Sequence, residues 1–147
     1  MKKMIRVFYA PFLICMLVLL VSFSNVAAQQ FLVVKIVNYT NNPVSVAFAR
    51  ENGYNTADNT TKGWYTVQGR AEKSFNIFNY NPDDNYYYVV QYKNGNMSNG
   101  KDLFGWVAFG RPFTSKNGRK LGGGSRVGFK YLNNNKIGRA VLNIGKH

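Results

Sequence analysis

The sequence predicts an all-β domain: a single antiparallel β-sandwich or related barrel of about eight short strands, preceded by a signal-peptide helix. Three observations carry this. Beyond residue 28, apolar residues recur with a period of two, and no stretch holds a 3.6-residue period. Clusters of Asn, Gly, Pro and Asp break the alternation at intervals of about 8–15 residues. Phe, Trp and Tyr make up 16% of the chain, and these side chains suit half-buried strands.

The elements follow in order. Lys2, Lys3 and Arg6 form a positive start, and Val7 to Phe23 is apolar apart from Ser22. Val26-Ala27-Ala28 is a small-residue cleavage site, with cutting expected after Ala28. That order of parts is a secretory signal over 1–28, leaving one domain over 29–147. Export to the periplasm or the medium is the expectation; retention as an N-terminal anchor is the alternative. Cys15, the only cysteine, falls inside the signal, so the exported domain has neither a disulfide nor a thiolate metal site.

Leu32, Val34 and Ile36 mark a first strand, Asn38 to Pro43 a turn, and Val44, Val46 and Phe48 a second strand. The pair reads as an antiparallel hairpin. Arg50 to Lys62 is polar and reads as a long loop. A third strand follows over Gly63 to Gln68, and a fourth is marked by Phe75, Ile77 and Phe78. Pro82-Asp83-Asp84-Asn85 is a turn. Tyr86 to Lys93 is the strongest strand: Tyr86, Tyr88, Val90 and Tyr92 share one face, Tyr87 and Val89 the other. At least one set must then lie away from the main core. Asn94-Gly95-Asn96 has hairpin character. Leu103 to Phe109 is a strand in which Gly105 signals a bulge or a close backbone approach. Arg111 to Ser125 reads as a long, flexible, basic and glycine-rich loop. Val127 to Tyr131 is a short strand. Ile137 to Ile144 closes the chain, with Ala140, Leu142 and Ile144 inward.

Several segments resemble one family. Val37-Asn38-Tyr39-Thr40 with Val44-Ser45-Val46-Ala47, then Lys62-Gly63-Trp64-Tyr65-Thr66-Val67 with Gly69, Tyr86-Tyr87-Tyr88-Val89, and Gly105-Trp106 with Phe113 are similar to segments of the DUF1036 family. The resemblance spans about residues 31–131. It implies a compact domain of an exported bacterial protein and brings no activity or site residue with it. Relatives often carry two cysteines where Val37 and Thr114 stand here, so their disulfide is absent.

Enzyme signals are sparse. His147 is the only histidine and the last residue, so nucleophilic triads have no placed base. The six carboxylates, Glu51, Asp58, Glu72, Asp83, Asp84 and Asp102, all fall in expected loops or turns. Asp83 and Asp84 fit an Asx-type turn with Asn81 and Asn85. Gly122-Gly123-Gly124-Ser125 lacks the Gly-Lys-Ser/Thr ending of a phosphate loop, and no helix follows it. No catalytic residue, metal ligand or cofactor site is assigned, and an enzyme is not expected.

Charge is the sharpest feature. The 147 residues carry 19 basic and 6 acidic side chains, a net of +13. Residues 29–102 hold seven basic and six acidic groups; residues 103–147 hold nine basic groups and no acidic one. Lys116, Arg119, Lys120, Arg126 and Lys130 cluster around the glycine-rich segment and are the candidate anion-binding residues. Trp64 and Trp106 are candidate aromatic contacts. The function expected is a non-catalytic binding module for an anionic envelope component: anionic lipid, lipopolysaccharide or acidic polysaccharide. Dedicated nucleic-acid binding is not expected, because no Arg/Lys-Gly-Phe sheet motif is present. The alternatives are a membrane-active, toxin-like protein and a structural or assembly module of the envelope.

Overall fold

A computed structural model describes residues 30–53, 59–135 and 137–146. The expected signal over 1–28, Asp58 and His147 lie outside the described residues. The described chain is all-β. Its nine strands are β1 (Phe31–Asn38), β2 (Val44–Glu51), β3 (Asn59–Val67), β4 (Glu72–Asn79), β5 (Asn85–Tyr92), β6 (Leu103–Ala108), β7 (Phe113–Lys116), β8 (Gly124–Tyr131) and β9 (Arg139–Ile144). They form two sheets. One has three strands in the order β4-β1-β9; the other has six, in the order β6-β8-β5-β2-β3-β7, and curls into a nearly closed barrel.

The first two strands are not a hairpin. β1 pairs with β4 antiparallel and with β9 in parallel, while β2 pairs with β3 and β5. Asn38 explains the crossing. Its side chain is buried and donates to the carbonyls of Asn42 (2.8 Å), Gln68 (3.0 Å) and Val67 (3.3 Å). Its Oδ1 accepts from the Thr40 amide (3.0 Å) and the Thr40 hydroxyl (2.7 Å). The amide thereby ties the end of β1 to the end of β3, and the chain changes sheets at that corner. The parallel β1–β9 pair is the one departure from an antiparallel ladder among the described strands.

Two segments expected to be loops are partly strand. β3 begins at Asn59, inside the polar stretch, and β7 lies within the basic glycine-rich stretch. Glu51 closes β2 and Glu72 opens β4, so these carboxylates sit at strand ends and not in loops.

β2 and β5 lie between two cores. Val44, Val46, Phe48, Tyr86 and Val90 face the three-stranded sheet and join Leu32, Val34, Ile36, Leu142 and Ile144. The opposite faces give Ala47, Ala49, Tyr87 and Val89, which join Val107, Val127 and Phe129 inside the curled sheet. The alternation along β5 is as the sequence predicts, and both of its faces are covered.

The second core is thin. A Cβ on Gly63 would stand 2.7 Å from the Ala47 Cβ, and one on Gly105 would stand 2.7 Å from Thr61 Cγ2. Glycine is needed at both points: Gly63 of β3 lies against Ala47 of the neighbouring β2, and at Gly105 β6 comes too close to β3 for a side chain between them. Gly105 therefore marks a close approach, and the register of β6 on β8 runs through it without interruption.

Candidate anion-binding surface

β6 and β8 pair antiparallel from Leu103↔Phe129 to Ala108↔Gly124. Strand parity sends Gly105 and Val107 inward and leaves Phe104 and Trp106 outward. On β8 the same parity buries Val127 and Phe129 and exposes Arg126 and Lys130. Trp106 stands directly across from Arg126. The Arg126 guanidinium lies 5.4 Å from the centre of the Phe104 ring. Lys120 Nζ lies 5.6 Å from the centre of the Trp106 ring. Both are cation–π distances.

Lys120 reaches Trp106 because of the path of its connection. Through the ladder, β7 and β8 run in the same direction. Residues 117–123 must therefore return along the length of a strand. This segment is a strap and not a free loop. Asn117 N donates to Asn59 O (2.6 Å), Arg119 N to Lys116 O (3.1 Å), Ser115 Oγ to Arg119 O (2.7 Å) and Gly124 N to Leu121 O (2.9 Å). Lys116, Arg119 and Lys120 are all exposed along it.

The strap lies beside a seam. β6 and β7 are the two edges of the curled sheet, and no backbone ladder joins them. Side chains from β3 close the gap. Thr61 Oγ1 donates to Trp106 O (2.8 Å), and Trp64 Nε1 donates to Ala108 O (2.7 Å). These bonds satisfy carbonyls that an open edge would leave bare.

Of the seven candidate residues, the structure brings together Lys120, Arg126 and Trp106, with Lys116 and Arg119 leading to them along the strap. Lys130 is set apart. A Cβ on Gly128 would stand 2.0 Å from Gly100 O, so the backbone at Gly100 crosses β8 between Arg126 and Lys130. Trp64 belongs to the seam. Its ring stacks on Phe109 (6.3 Å between centres), meets Phe113 edge-on (5.8 Å) and packs against the second core. Phe104, half exposed and holding Arg126, is the partner that the sequence reading left out of the site. Its parity with Trp106, two residues on, is the signal that places it there.

Among the described residues, no carboxylate pairs with the positive charge on this side. The ion pairs among the described residues, Lys35–Glu72 (2.8 Å) and Arg50–Asp84 (3.7 Å), involve none of the five candidate cations. The nearby carboxylate, Asp102, accepts the Tyr131 amide at 2.7 Å. Beneath the surface, Tyr87 donates to Glu51 Oε2 (2.8 Å), and burial with this bond pushes its hydroxyl well above the usual tyrosine range. Asn81 makes the expected Asx-type turn, its Oδ1 accepting from Asp83 N at 3.2 Å and its Nδ2 donating to Asp84 Oδ1 at 3.1 Å. Among the described residues, no three His, Cys, Asp or Glu side chains gather as a metal site. Comparison with protein-family models, with curated proteins and with solved structures returned no match.

Proposed function

We propose that this protein is an exported, non-catalytic binding module that contacts an anionic envelope component or polysaccharide through the strap and the outer face of β6 and β8. The observation that carries the reading is the pair of cations, Lys120 and Arg126, laid over Trp106 and Phe104 on one exposed face, with no carboxylate among the described residues paired to them. A surface of one sign attracts polyanions over about one Debye length, roughly 8–10 Å at physiological salt. The N-terminal segment, with its basic start, apolar core and Ala27-Ala28 end, supports export. The resemblance to DUF1036 segments points to the same compartment.

The test is retention of the purified protein on a heparin matrix and on anionic vesicles at low and high salt. Retention that falls with salt is expected. Replacing Lys116, Arg119 and Lys120 together by Glu abolishes it while the unfolding midpoint stays put. Retention of the triple variant equal to that of the parent overturns the proposal.

A further inference from the structure

We infer that Phe104 and Trp106 are posts that hold Arg126 and Lys120 in place, and that the ligand is a linear acidic polysaccharide taken up by charge and not by ring stacking. This rests on the proposed function and narrows it.

Which ring faces are free decides between stacking and charge. A sugar or a base stacks on an uncovered aromatic face. Here the cations already lie against the two outward rings of β6, at 5.4 Å and 5.6 Å. Phe109, the exposed ring at the end of β6, is stacked on Trp64. Each of these rings therefore already has a partner against it, and Phe104 and Phe109 stay partly exposed beside the cations. Holding long Lys and Arg side chains in one place removes entropy that binding would otherwise cost.

Shape argues for a polymer. Two open depressions lie away from β6: about 590 Å³ beside Pro43, Tyr92 and Lys93, and about 150 Å³ beside Arg70 and Glu72. The outer face of β6 is one side of an extended strand. A small anion there touches one or two cations. A chain with repeated anions meets Lys116, Arg119, Lys120 and Arg126 together and gains by multivalency. Phe104 and Trp106 are two residues apart on one strand face, so the positions that hold the two cations lie about 7 Å apart along the backbone.

Chemistry argues for acidic sugar. A bilayer needs a free apolar patch to enter the interface, and here the outward rings of β6, though partly exposed, each have a cation against them. Single-stranded nucleic acid needs open ring faces. Thr114 and Asn117, both exposed beside Lys116, are neutral groups suited to sugar hydroxyls.

The experiment measures binding of the purified protein to polygalacturonate, a neutral glucan, oligo-dT and phosphatidylglycerol vesicles across a salt series. Polygalacturonate is expected to bind most tightly and the neutral glucan not at all. F104L and W106L each weaken polygalacturonate binding about two- to fivefold with the salt slope unchanged. W106F and F104Y, which keep a ring, bind as the parent does. K120Q/R126Q lowers the salt slope by about two. A merely structural role for the rings would not discriminate W106F from W106L while leaving both folded. Tighter binding to vesicles or oligo-dT, or ring variants indistinguishable from the parent, each overturn this inference and leave the charge-driven reading of the surface standing; equal binding of the neutral glucan overturns both. A parent protein that binds no polyanion at low salt overturns both.

Discussion

The two cores share strands β2 and β5, yet they are built differently. The core between the sheets takes branched and aromatic residues from every strand that lines it: Leu32, Val34, Ile36, Val46, Phe48 and Tyr86 are fully buried there. The core inside the curled sheet takes Ala47 and Ala49 from the other face of β2, with glycine at positions 63 and 105. The first is held by volume and the second by close backbone approach. This separates two tasks. The thick core stabilises the domain; the thin one sets the strand positions behind the basic surface, because a side chain added at Gly105 pushes β3 and β6 apart and one added at Gly63 meets Ala47 of β2.

The largest expected effect lies in the thick core. Phe48→Ala removes a ring with no exposure to solvent and should lower unfolding free energy by about 3–5 kcal/mol. Urea denaturation measures it, and a loss below about 1 kcal/mol would dissolve the distinction between the cores.

Next comes overpacking of the thin core. Gly105→Ala places a methyl against Thr61 Cγ2 and should cost about 1–3 kcal/mol. Thr61→Ser removes that methyl and keeps the hydroxyl that bonds Trp106 O. The double variant should recover most of the loss, a coupling that a double-mutant cycle reads directly. Additive losses would show that Thr61 is not the obstacle.

Trp64→Phe tests the seam alone. It leaves the Ala108 carbonyl without its donor and should cost about 1–3 kcal/mol, with polyanion retention unchanged. A loss of retention matching that of the Lys120 and Arg126 variants would move Trp64 into the binding surface.

The smallest effect at neutral pH comes from the buried tyrosines. Burial raises Tyr65, Tyr86, Tyr87 and Tyr88, so the folded protein keeps these phenolic protons at a pH where the unfolded chain has lost them. Stability should therefore be level below pH about 10, the ordinary tyrosine value, and decline above it. Tyr87→Phe should flatten part of that decline when unfolding free energies at pH 8 and pH 11 are compared. An unaltered alkaline slope would mean that Tyr87 ionises alike in both states.

Much of the fold is legible in the sequence where alternation and hydrophobicity coincide. β5 and β9 read correctly because each face has a consistent character. β7 does not, because Phe-Thr-Ser-Lys has one apolar residue in four positions and its buried Ser115 looks like a loop residue. The start of β3 fails for the same reason: Thr60 and Thr61 are polar yet buried. Pairing is the least visible level. Asn38 looks like an ordinary turn residue until the carbonyls of Val67 and Gln68, about thirty positions away, come within reach. For the surface, the charge imbalance of residues 103–147 is plain from composition. That Lys120 meets Trp106 is not, because it depends on the strap's return path, which follows from strand directions.

The parallel pairing of β1 with β9 has a mechanical side. Six residue pairs, from Val33↔Arg139 to Asn38↔Ile144, hold the two strands side by side. Tension applied between Gln30 and Lys146 pulls one strand toward its start and the other toward its end. The load then falls along the ladder in shear, on all six pairs together, instead of peeling them one at a time. Pulled from these two points, the domain should yield at high force and in one step, with β1 and β9 as its clamp.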